Sequence, residues 1–273
     1  MVHPPQRTAI SGPALVRLLA RLTQADVPES RQSLADRLSQ WLGWTDAIAL
    51  STALSGPPPA VAGVARAFGS AEERECARVR AGLAQTLAGD SAFAVARRRG
   101  ATLHGAAVEA PVDYAVFRQR YTAMQQTMET GIGSLRGRLR AMLATQTPAL
   151  ARLAVLDAVM ERALGERERS VLATVPGLLA GHFQRLRAQA EAKAASAGEG
   201  ATDAAAVAAA VAAGPAAVSA NEAAAAATKT SPDAAAHTAW LSVFRQDMQS
   251  VVLAELDVRF QPVEGLIAAL RTC

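Results

Sequence analysis

Between Tyr114 and Leu143 the chain reads "YAVFRQRYTAMQQTMETGIGSLRGRLRAML". Phe117, Tyr121, Met124, Met128, Ile132, Leu135, Leu139 and Met142 follow one another three or four residues apart. That period places them on one stripe of an α-helix, whereas a strand would need alternation. About 30 residues at 1.5 Å each make a rod of roughly 45 Å. Asp113 is a suitable N-cap. Thr147-Pro148 should close the segment, because the residue before a proline disfavours helix. Gly131, Gly133 and Gly137 weaken the helix and allow close backbone approach.

Helical signals continue on both sides. Downstream, Ala149–Leu164 and Glu166–Ala190 read as two helices, the second disturbed at Pro176. Upstream, Ser11 can cap a helix carrying Leu15, Leu18, Leu19 and Leu22. Pro28 sits near the start of another, with Leu34, Leu38, Trp41 and Leu42 as its apolar face. Thr45 can cap a third, holding Ile48, Leu50 and Leu54. "SGPPPAVAG" is a loop. Ser70 and Glu73 have capping-box spacing ahead of Val79, Leu83 and Leu87. Gly89–Pro111 is weakly periodic and reads as loop or short helix. Strand alternation, hairpin signals and repeats of 20 to 50 residues are all lacking.

The stretch "DAAAVAAAVAAGPAAVSANEAAAAATKT" (Asp203–Thr230) has high helix propensity but little to bury. Gly214-Pro215 interrupts it and Ser219, Asn221 and Glu222 follow, so it is too polar and too broken for a membrane span. Residues 191–231 therefore read as an alanine-rich disordered tether, with transient helix on either side of Gly-Pro. Beyond it, Thr238–Leu270 carries Trp240, Phe244, Met248, Val251, Leu256 and Phe260, with Pro262 as a break. The expected fold is an all-α, elongated helical bundle with one long central helix and a low-complexity insert. Its expected regions are an N-terminal helical part (1–110), a long-helix bundle (111–190), the tether, and a C-terminal helix (232–273) packing back on the bundle.

Composition agrees. Half of the 273 residues are apolar, aromatics make up 4%, and strand formers are few. Lys193 and Lys229 are the only lysines beside many arginines, the signature of a GC-rich coding sequence, which lowers the weight of any single arginine. A net charge of +4 weakly favours acidic partners. Cys76 and Cys273 are far apart and form no disulfide framework, which fits a reducing cytoplasm. Arg17 and Arg21 interrupt the apolar N-terminal segment, so no signal peptide is read there.

Chemistry-bearing patterns are sparse. His3, His104, His182 and His237 lack zinc-helix spacing, and no cofactor or metal set is expected. No nucleophile elbow or phosphate loop is present; "GIGSLRG" lies inside the helical stripe without a preceding strand. Cys76 shares the face of Val79 and Leu83 and reads as a small core residue, despite Arg74 and Arg78. Trp41 and Trp44, three apart around a glycine in "SQWLGWTD", read first as a core-filling corner. Their second reading is an aromatic anchor for a partner helix. Arg97, Arg98, Arg99, Arg136, Arg138 and Arg140 are the anion-binding candidates, together with Arg80, Arg118 and Arg120. They lack interleaved aromatics for base stacking, so a solvated face with acidic partners is the simpler reading.

"QRTAISGPALVRLLARL", "SRQSLADRLSQWLGWTDAIALSTAL" and the 114–143 segment resemble an uncharacterised proteobacterial family, known only as a domain of unknown function. The resemblance covers most of the chain outside the alanine tract. It brings no catalytic or binding residues with it. Members are encoded near envelope proteins resembling proton-driven stators and OmpA-like peptidoglycan binders, so the resemblance implies a cytoplasmic accessory role. The expected function is a non-enzymatic cytoplasmic helical scaffold or adaptor that binds protein partners and self-associates through the Phe117–Met142 stripe. The alternative is nucleic-acid or anionic-surface binding through the arginines.

Overall fold

A computed structural model describes residues 12–28, 31–57, 61, 68–90, 92–93, 112–211 and 232–272, with side chains described except at 197–211 and 232–238. Among the described residues there are eight helices and no strand. They are α1 (Ala14–Thr23), α2 (Leu34–Trp41), α3 (Trp44–Ser55), α4 (Ser70–Gly89), α5 (Tyr114–Leu143), α6 (Pro148–Leu172), α7 (Val175–Val211) and α8 (Pro232–Arg271). The fold is all-α. It is elongated because α5, α7 and α8 contain 30, 37 and 40 residues, lengths of roughly 45 to 60 Å.

The 114–143 stripe forms the predicted helix from the predicted start, ends at Leu143, and leaves Thr147-Pro148 to cap and open α6. Asp113 caps it by accepting from the Ala115 N–H. Phe117, Tyr121, Met124, Met128, Ile132, Leu135 and Leu139 are buried, with Leu143 extending the row; Met142 is only partly buried. The stripe is covered from within the chain, since α4, α6, α7 and α8 all pack on α5. Self-association through this stripe is therefore not open to the folded molecule, because the apolar surface it needs already faces other helices.

α8 is the second organising rod and packs on α1, α4, α5 and α7. Phe244, Met248, Val251, Val252, Leu256, Phe260, Val263, Leu266 and Leu270 are its buried face. Pro262 does not break α8, which runs through it. Proline removes one helical hydrogen bond, and the packed residues on either side offset that loss. The disturbance expected at Pro176 is present: proline has no N–H for the Leu172 carbonyl four residues back, so α6 ends at Leu172 and Pro176 stands at the second position of α7, where a missing N–H needs no helical partner. The break between α6 and α7 falls at Ala173 and Thr174, not at Gly165, which lies inside α6. α7 stays helical through residues 191–211, as alanine's propensity favours, and residues 212–231 lie outside the described residues.

Two caps differ from expectation. α3 begins at Trp44 with Gly43 as N-cap, so Thr45 lies inside the first turn. At α4 the N-cap is Gly69, and Glu72 accepts from its N–H at 3.1 Å, one residue ahead of the expected pair. At α2 Ser33 and Asp36 form a full capping box, an N-terminus later than Pro28 suggested. The Ser11 cap lies outside the described residues.

Candidate functional site

α2 and α3 bury no residue. Both rest on α6, where Arg152 donates to the Gly56 carbonyl at 2.8 Å and Arg162 comes within 4.0 Å of Asp46. The tryptophan corner is accordingly on the surface. Trp44 is 82% exposed and Trp41 39%, and Leu34, Ile48 and Leu54 are exposed as well. The core-filling expectation for the two indoles is overturned. Among the described residues α6 is the helix that packs on this corner, and one helix cannot enclose two indoles. Trp41 lies under the Arg167 guanidinium, 5.7 Å from its ring centroid, a cation–π contact.

Four of the arginine candidates, Arg80, Arg136, Arg138 and Arg140, are already engaged, while Arg118 and Arg120 are exposed on α5. Arg136 forks onto Asp157, with Nε to Oδ2 at 2.8 Å and a terminal nitrogen to Oδ1 at 2.6 Å. Arg140 adds a 3.1 Å bond to the same carboxylate and another to Glu161. Arg138 reaches Glu75 on α4 at 3.2 Å. Arg80 bonds Asp257 and Glu264 and lies over Phe260. These pairs stitch α5 to α6 and α4, and α4 to α8. Bidentate arginine–carboxylate geometry leaves little charge to offer a phosphate. Arg97, Arg98 and Arg99 lie outside the described residues.

Sequence reading missed the buried polar chemistry. Glu255 of α8 is 0% exposed. Its oxygens accept from Tyr121 at 2.7 Å, Gln125 at 3.0 Å and Arg259 at 2.9 Å. Gln125 also donates to the Leu172 carbonyl, one of the unbonded C=O groups at the end of α6. Burial, then the Glu255 charge, pushes the Tyr121 phenol above the ordinary tyrosine range. A signal was available: Met248, Val252, Glu255, Arg259 and Val263 continue one three-or-four-residue register. A second junction sits about two turns away along α8, where His182 of α7 donates to Asp247 of α8 at 2.9 Å and Arg21 of α1 approaches the same carboxylate. Beside it Tyr114, Phe117, Phe183, Trp240 and Phe244 pack edge to face.

Between α5, α6 and α8 lies an open cleft of about 970 Å³, with Trp41 at its lip. Ile132, Leu172 and Val258 supply apolar lining. Gly133 of α5 and Gly165 of α6 line the cleft beside open space, since a methyl group added at either would meet nothing within 4 Å. Five arginines and four glutamates complete the walls: Arg136, Arg162, Arg167, Arg169 and Arg259 with Glu129, Glu161, Glu166 and Glu168. Arg136, Arg169 and Arg259 have carboxylate partners. Among the described residues no group of three or more His, Cys, Asp or Glu is arranged to hold a metal ion.

The model of a family described as a protein of unknown function (DUF3348) matches residues 1–215 and 216–272, and the chain belongs to that family. No curated protein and no solved structure matches the chain.

Proposed function

We propose that this DUF3348 chain is a helical scaffold or adaptor without reaction chemistry of its own, whose α2–α3 unit is the docking surface for an amphipathic helix of a protein partner. One observation carries the reading: Trp44 is 82% exposed and Ile48, one turn further along α3, is exposed beside it. A tryptophan on the surface of a stable bundle leaves a large apolar area in water, and tryptophan is the residue most enriched at interface hot spots. α6, itself packed on α5, forms the support behind that surface.

The pairing of Arg136, Arg138 and Arg140 with carboxylates removes most of the support for nucleic-acid binding. The resemblance to a family encoded beside envelope proteins favours a cytoplasmic accessory role. Among the described residues no helix is long and apolar enough to cross a membrane.

The test is capture from native cells with the full chain as bait, in parallel with a Trp44→Ala/Ile48→Ser variant of unchanged helicity. A partner retained by the first bait and lost by the second supports docking on α3. Equal capture by both moves the interface elsewhere. Light scattering across concentrations shows whether the retained partner is a second copy.

A further inference from the structure

The geometry points to the α5–α6–α8 cleft as a binding site for a small organic carboxylate carried on an apolar body, with Arg259 as the group that reads the carboxylate. Arg259 is 8% exposed yet lines the cleft. Its Nε is pinned from behind by Glu255 at 2.9 Å, and Glu255 is itself held by Tyr121 and Gln125. The guanidinium is thus fixed in orientation before any ligand arrives, so little side-chain entropy is left to lose on binding.

One further feature belongs to a receiving site and not to bundle packing. Gly133 and Gly165 clear the space in which an apolar body would lie against Ile132 and Leu172. At the mouth Glu168, half-exposed, stands 3.5 Å from an Arg259 terminal nitrogen. That distance is an ion pair without a good hydrogen bond. Glu168 is the chain's own carboxylate in the position a ligand carboxylate would take, and an incoming acid displaces it into water. The cleft volume lies at the upper end of the roughly 300 to 1,000 Å³ typical of ligand sites. The lining charges, five arginines against four glutamates with Arg259 and Glu168 included, leave the walls one unit positive.

The probe is decanoate, kept below its micellar concentration and titrated into the full chain by calorimetry and by two-dimensional amide NMR. Acetate and decanol are the controls for an acid without a body and a body without an acid. Wild-type protein should bind decanoate, with both controls about tenfold weaker or worse. Glu168→Gln should tighten binding several-fold by removing the internal competitor. Gly165→Leu fills the cleft from a helix position that favours leucine over glycine, and should abolish binding without loss of melting temperature. Gly133→Leu does the same from the opposite wall and stands in should Gly165→Leu misfold. No binding by wild type and Glu168→Gln, decanol binding as well as decanoate, or unchanged binding in the filled variants would each overturn the assignment. Neither filled variant touches Trp44, so failure here leaves the α3 docking surface unaffected.

Discussion

The Tyr121 hydroxyl donates to Glu255 at 2.7 Å, joining α5 to α8 through two side chains that expose none of their surface. A buried carboxylate with one cationic partner and two neutral donors is tolerable; the same carboxylate short of a donor is not. Tyr121→Phe should therefore cost about 1–3 kcal/mol in urea unfolding, although it removes a single oxygen. Glu255→Ala should cost about 3–5 kcal/mol, because it strands Arg259. A neutral Tyr121→Phe would mean that the hydroxyl contributes nothing to the junction.

Alkaline pH probes the same region. Burial pushes the Tyr114 phenol up from 10.0 to about 12, with Arg118 opposing, and the Tyr121 phenol is raised further. Both folded values exceed the unfolded one, so the unfolded chain loses these protons first. The stabilisation is complete below pH 10.0 and declines as pH rises through the window up to about 12 for Tyr114. The urea midpoint should hold steady up to pH 10.0 and fall above it. Tyr121→Phe should flatten the descent, and phenolate absorbance should rise only with unfolding.

Much of this architecture is legible in the residues, and the parts that are not fail for physical reasons. The Phe117–Leu139 stripe specifies α5, because seven buried side chains at helical spacing admit one face. The buried Glu255, Arg259 and Gln125 escape such a reading, since a charge or an amide in a stripe looks the same whether its partner is water or another helix. Trp41 and Trp44 escape it in the opposite sense. Indole identity measures how much burial would gain, not whether another helix is there to supply it. Pro262 was misread because local propensity was set against a helix that tertiary contacts hold together. The cleft has Gly133 and Gly165 in walls supplied by two different helices, and no spacing along the chain encodes that.

Cys76 gives a kinetic test of the core. It is buried on α4, and burial raises its thiol above the ordinary value, with Arg138 opposing. In a Cys273→Ser background, alkylation at pH 8 should be slow and should accelerate with urea in step with global unfolding. Rapid reaction in the native state would show α4 detaching from α5 and α8 on its own.

Trp44 should behave as a surface residue in every stability assay. Trp44→Ala should change the unfolding free energy by no more than about 0.5 kcal/mol. Phe244→Ala, in the aromatic junction, should cost about 3–5 kcal/mol. The contrast separates a residue kept for contact with others from one kept for the fold; a large loss in Trp44→Ala would reassign it to packing.

α8 covers α1, α4, α5 and α7, yet it follows all of them in the chain. During translation the 114–143 rod can therefore gather α4, α6 and α7 around it but waits through the whole alanine-rich interval for the helix that makes its largest contact. For that period part of its greasy side faces water, and the length of the interval sets how long the wait lasts.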